Sequence, residues 1–175
     1  MLPRAEMFKE VIFTPRLIAF NESFVPVGAF LKVFKTSAVI WHKGISGRKK
    51  EDLIFIFYAF LLNNRDTPYI TIWLDNCAAQ NKNWSLFSCF IFIVNCADVD
   101  LKVLDIKYFQ SGHTFMSADA FYHQVELSLK KARKVFDFND FKLAQNSNSS
   151  KVEIKEMNIK DFYQWKDYSF KFKFP

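Results

Sequence analysis

The sequence predicts an α/β domain built on a mixed sheet flanked by helices, and three observations predict it. Two apolar, β-branched and aromatic runs stand close together before residue 43, as the strands of a hairpin do. Two further runs, Tyr69–Leu74 and residues 101–109, are set apart by longer stretches with helical spacing of apolar residues. Strands joined through helices run parallel, so the order strand, strand, helix, strand, helix, strand, helix implies antiparallel and parallel pairs within one sheet.

Taken in order, residues 16–25 (RLIAFNESFV) read as a strand that stops at Pro26 and Gly28. Residues 30–41 give a second strand around a polar Lys35-Thr36-Ser37 interruption, ending at Trp41-His42, and a short turn between the two makes a hairpin. After Gly44-Ile45-Ser46-Gly47, residues 48–62 open with charges and become apolar all round, as in a helix covered on most sides, and Asn63-Asn64 ends it. Tyr69–Leu74 follows Pro68 as a buried strand and stops at Asp75-Asn76 before a polar turn. Residues 82–95 place Trp84, Phe87, Ile91 and Val94 along one side of a helix. Residues 101–109 alternate as a strand, with Gln110-Ser111-Gly112-His113 as the turn at its end. From Ser117 a helix stacks Asp119, His123, Glu126 and Lys130 on one face.

Beyond Arg133 the character changes. Residues 135–141 are short and aromatic, residues 145–151 (QNSNSSK) form a polar loop, and VEIKEMNI and YSFKFKF read as minor strands about a short helical turn near residues 160–163. The expectation is one domain over residues 1–133 and a small C-terminal extension over 134–175.

The totals bound the function. With 175 residues, half of them apolar, and 22 Phe, the chain has ample material for a core. A net charge of +6 favours an anionic partner, nucleic acid being the commonest, although many basic domains bind none. Three cysteines without a Cys-x-x-Cys spacing read as small buried hydrophobes rather than zinc ligands, in a reducing nuclear or cytoplasmic compartment. The amino terminus, MLPRAEMFKE, is too polar for a secretory signal. The longest apolar runs, residues 53–62 and 84–96, fall short of the roughly 20 residues a bilayer needs, so no membrane association is expected.

One constellation can carry chemistry. Asp75 ends a strand and Asp119 opens the helix after the next, so in a right-handed βαβ arrangement both project over the same end of the sheet, where open α/β sheets bind ligands. Two converging carboxylates suit a hard cation such as Mg²⁺, and a pair of such ions roughly 4 Å apart serves phosphodiester cleavage. His113, His123 and Glu126 stand near that edge as orienting or general-base groups. Each also has an ordinary structural reading: Asp75-Asn76 is turn chemistry, Asp119 suits the positive end of a helix dipole, Glu126 pairs with Lys130, and His113 hydrogen-bonds its turn. Asn76, Gln80, Asn81 and Asn83 can donate to a phosphate or simply make a turn and a cap, and Arg48-Lys49-Lys50 can touch a nucleic-acid backbone or be a solvated helix start. A nucleophilic Cys77 beside His113 lacks any sequence feature that would supply an oxyanion hole.

Three blocks, IWHKGISGRKKED, WLDNCAAQNKNW and YFQSGHTFMSADAFYHQVE, in this order and spacing, resemble an uncharacterised domain of insect transposon-derived proteins, of the RNase H-like (retroviral-integrase) transposase type. The combination of Asp75-Asn76-Cys77 and Gln80-Asn81 with Gly112, His113, Thr114, Met116, Asp119, His123 and Glu126 carries the resemblance over most of the chain. It implies a DNA-cutting and joining enzyme that uses Mg²⁺ or Mn²⁺, with Asp75 and Asp119 as metal-binding carboxylates and Glu126 as the alternative to Asp119. It further implies a first acidic residue on a central strand, in a segment that would run directly into Met1–Arg4. A chain beginning just after that strand would be an incomplete RNase H-like sheet and a catalytically incomplete nuclease, because two carboxylates alone hold Mg²⁺ poorly; the alternative is a non-catalytic domain that uses its basic surface to bind nucleic acid or another protein chain.

Overall fold

A computed structural model describes residues 17–28, 30, 33–110, 116–132, 135, 137–146 and 152–162. The secondary structure is mixed α/β, and the contacts divide the chain into two compact units, Met1–Gly47 with Met116–Ile159, and Arg48–Phe115 with Lys160–Pro175.

In the first unit, β1 (Ala19–Phe24) and β2 (Thr36–His42) pair antiparallel, with Phe20 opposite Trp41 and Phe24 opposite Ser37. The expected hairpin is present, but its connection is long: Lys35-Thr36-Ser37 is where β2 begins rather than an interruption inside it. Gly28 adopts a positive φ of 63° in that connection, which a Cβ would strain. β5 (Val152–Glu156) adds to the other side of β2 in parallel, with Ala38 opposite Ile154, and Met157 N continues the pairing by donating to Ile40 O at 2.9 Å.

Helices α4 (Ser117–Lys131) and α5 (Phe138–Asn146) complete this unit. Phe121 and Val125, one turn apart on α4, pack with Ala38 of β2, and Phe141 of α5 packs with Ile40 and Val135. Alternate β2 residues therefore belong to two apolar clusters. The Tyr122 hydroxyl accepts from Ser23 N at 3.2 Å, tying α4 to β1, and Lys142 Nζ lies 2.6 Å from Glu156 Oε2, tying α5 to β5.

The second unit holds α1 (Lys50–Asn63), β3 (Tyr69–Leu74), the four-residue α2 (Ala78–Asn81), α3 (Trp84–Val94) and β4 (Val103–Tyr108). Lys49 N donates to Asp52 Oδ2 at 2.8 Å at the start of α1, and Asn83 Oδ1 accepts from Leu86 N at 3.0 Å at the start of α3. Leu53 through Phe57 are all buried, as the continuous apolar run requires, and Phe57 meets Phe90 of α3 edge to face at 5.5 Å. β3 and β4 pair parallel, Tyr69 opposite Val103 and Leu74 opposite Tyr108.

Four expectations need correction. Among the described residues the strands form two sheets, one of three strands ordered β1-β2-β5 and one of the two strands β3 and β4, where a single mixed sheet was expected. Helix α3 buries Leu86, Cys89, Phe90 and Ile93, while Trp84 and Ile91 are exposed. Nearly every position of that helix is apolar, so spacing alone selects no face, and packing on α1 does. Residues 145 and 146, expected in a polar loop, end α5, and Gln145 is fully buried. The stretch from residue 134 onward does not stand apart as one extension: α5 and β5 join the first unit, because β5 supplies the parallel neighbour of β2. The YSFKFKF segment lies outside the described residues.

Among the described residues no helix is long and apolar enough to cross a membrane. Cys89 is buried, and burial pushes its thiol up to about 12 from 9.0; Cys77 and Cys96 are half-buried and free.

Two measurements follow from this packing. Among the described residues neither side-chain polar atom of the buried Gln145 has a hydrogen-bond partner, a cost of about 1–3 kcal/mol per group. Gln145→Leu should therefore raise the thermal midpoint, and a fall of several degrees would show that the amide is satisfied. A raised thiol pKa means that the unfolded chain loses a proton between about pH 9 and 12 while the folded one keeps it, so stability falls as pH rises through that window. Cys89→Ala should flatten the fall, and a thiol reagent at pH 8 should label two cysteines in the native chain and the third only on unfolding.

Candidate functional site

The strand-end polar cluster is built in the second unit. Asp75 directly follows β3, and the chain turns at once into α2, so the carboxylate is held at the carboxyl edge of a parallel pair. One of its oxygens, Oδ1, accepts from Cys77 N at 3.4 Å and from the Asn81 side-chain amide. The same amide also donates to the Asp75 backbone oxygen at 3.4 Å. Asn81 stands one turn and a half further along the chain, and the short helix is what brings it back over Asp75.

Asn81 is held in turn. The Tyr108 hydroxyl, at the end of β4, donates to Asn81 O at 2.8 Å. Burial pushes that hydroxyl above its ordinary range, which favours the protonated, donating form. Lys82 places its ammonium 4.6 Å from the centre of the Tyr108 ring. Asn83 Nδ2 donates to Gln80 O at 2.9 Å, closing the loop onto the first turn of α3. The result is a chain of contacts, Tyr108 to Asn81 to Asp75, that ties the ends of both parallel strands together and leaves Asn76, Gln80 and Lys82 exposed around it.

In the first unit, Asp119 is the third residue of α4 and its Oδ2 accepts from Met116 N at 2.7 Å, closing the start of the helix. Asp119, His123, Glu126 and Lys130 share one exposed face, opposite the buried Phe121, Val125 and Ser128. The stacking expected from their spacing is therefore present. Asp75 belongs to the other unit, and His113 lies outside the described residues.

Fitness for Mg²⁺ or Mn²⁺ can be tested on the donors present. The groups approaching Asp75 Oδ1 are N–H donors, which hold and orient the carboxylate from one side. Among the described residues no group of three or more His, Cys, Asp or Glu side chains gathers to hold a metal. The described residues therefore do not fit a two-ion cluster. Cys77 serves Asp75 through its backbone N–H, and the imidazole expected beside its thiol, His113, falls in the undescribed stretch after β4.

Sequence reasoning named Asn81 as one of several polar turn residues and missed Tyr108 altogether. The return of Asn81 to Asp75 is made by the short helix α2, which no spacing in the sequence marks, and the Tyr108 link depends on strand pairing and is likewise invisible along the chain.

Asn81→Ala removes both amide bonds to Asp75 and should destabilise the chain by about 1–2 kcal/mol, and Tyr108→Phe by about 0.5–1.5 kcal/mol. Because the two lie in one contact chain, the double variant should cost less than the sum in a urea-unfolding cycle. Strict additivity would show that they act separately.

Residues 50–172 match the protein family described as a domain of unknown function (DUF7869). No curated protein and no solved structure matches the chain.

Proposed function

The chain belongs to that family, and we propose that it is a DNA-handling domain of the RNase H-like transposase type that binds DNA without cutting it. The observation that carries this reading is the position of Asp75: a carboxylate at the carboxyl edge of two parallel strands, ringed by exposed side-chain amides and a lysine. Amides and ammonium groups are the donors that phosphate oxygens accept, and this edge is where an α/β fold presents them. The three sequence blocks that resemble transposon-derived proteins include this loop.

The non-cutting part rests on how few carboxylates come together among the described residues. Asp75 Oδ1 is engaged by Asn81 and Cys77, and Asp119 Oδ2 closes its own helix. Mg²⁺ or Mn²⁺ supplies charge neutralisation in phosphodiester cleavage, and among the described residues no group of three or more His, Cys, Asp or Glu side chains gathers to hold such an ion. Charge places a further condition on binding. The chain carries +6 overall, yet its described residues hold nearly equal numbers of acidic and basic side chains, so the excess belongs to the segments outside them. DNA affinity should then be strongly salt-dependent and lost when those segments are removed.

The test uses the full chain with labelled duplex and single-stranded DNA. Binding is expected at low salt, falling as salt rises, surviving EDTA and surviving Asp119→Ala; absence of binding at low salt overturns the DNA reading. With Mn²⁺ present no Asp75-dependent nicking is expected. Clear nicking abolished by Asp75→Asn would overturn the non-cutting part and restore the metal-dependent nuclease.

A further inference from the structure

The β3–β4 pair has one face that the described residues leave open. Its inward residues, Ile70, Ile72, Leu74, Leu104, Ile106 and Tyr108, are buried or half-buried, while Tyr69, Thr71, Trp73, Val103, Asp105 and Lys107 are all exposed. Tyr69 is 70% exposed, Trp73 43% and Val103 42%. Parallel strands are ordinarily covered on both faces, so an open face with two large rings on it is a surface that a partner completes.

The chemistry of the face selects the partner. It carries one cation and one carboxylate, Lys107 and Asp105, which cancel, so a polyanion gains no net attraction there. The register supplies a positive criterion. Tyr69 stands opposite Val103, Thr71 opposite Asp105 and Trp73 opposite Lys107. Each pair is complementary within itself: apolar with apolar, hydroxyl with carboxylate, ring with ammonium. A two-fold axis along the strands, between β3 and β4, lays β3 of one copy over β4 of another at the same level. Every residue then meets the second copy's counterpart of its own register partner, Tyr69 meeting Val103 and Trp73 meeting Lys107. The ring and ammonium already associate within one chain, Lys107 Nζ lying 5.5 Å from the centre of the Trp73 ring, and Phe109 flanks that ring at 5.1 Å.

We propose that this face is a self-complementary docking surface for a second copy of the chain, with Trp73 as its anchor. The proposal does not depend on the DNA reading. Two strands of six residues offer a footprint of about 20 by 10 Å, small for a specific interface, so association is weak and concentration-driven.

Sedimentation velocity on the full chain, from about 5 µM to about 1 mM, reads this directly. The weight-average coefficient is expected to rise toward that of a dimer. Trp73→Ala and Thr71→Arg, both at exposed positions, should hold it at the monomer value over the same range with unchanged circular dichroism. A monomer at every concentration overturns the proposal, as does a dimer that Trp73→Ala and Thr71→Arg leave intact. A monomer whose affinity for single-stranded DNA drops on Trp73→Ala overturns it too, and gives the face to nucleic acid.

Discussion

A carboxylate at the end of a strand has to find donors, and at Asp75 the chain finds them within six residues. The strand stops, α2 makes a single turn, and Asn81 comes back to place its amide on both the side-chain and backbone oxygens of Asp75. The hydroxyl of Tyr108 then fixes Asn81 from the neighbouring strand. The parallel pairing of β3 with β4 supports this arrangement, because Leu74 and Tyr108 lie level only in the observed register. The loop is consequently part of the sheet's end rather than a free connection, and its backbone, from which Asn76, Gln80 and Lys82 project, is tied to both strands.

Asp119 shows the opposite balance. Its carboxylate satisfies the Met116 N–H at a helix start, which is an ordinary structural duty, and its neighbours His123 and Glu126 extend an exposed polar stripe on α4. Of the two aspartates singled out by spacing, Asp75 is embedded in a contact chain reaching another strand, and Asp119 closes the start of its own helix. This difference is why the functional reading rests on the loop after β3.

Much of the secondary structure was legible along the chain. Tyr69–Leu74 was bounded by Pro68 and Asp75, and the helix from Ser117 by its stripe of polar residues at turns of three and four. Where positions were apolar on all sides, as in α3, the sequence held no information on which residues face inward, and Leu86, Cys89, Phe90 and Ile93 were selected only by packing. The burial of Gln145 is hidden in the sequence because it opens the polar run QNSNSSK and reads as loop, whereas Phe141 and Ala144 carry the helix into the core around it. The pairing of β5 with β2 joins residues over a hundred positions apart, which no local pattern encodes. At the site, Asp75 and Asn81 were readable as types, but their bond and the anchoring role of Tyr108 emerged only from register.

If the loop after β3, organised by Asp75, is where DNA docks as proposed, amide chemical-shift mapping of the full chain during titration with duplex DNA at low salt will register it. Progressive, salt-reversible shifts are expected at the backbone amides of Asn76, Cys77, Gln80 and Lys82 and at the side-chain amide of Asn81. Resonances of this loop that stay unmoved while DNA binds elsewhere, or a titration with no shifts at all, would contradict it.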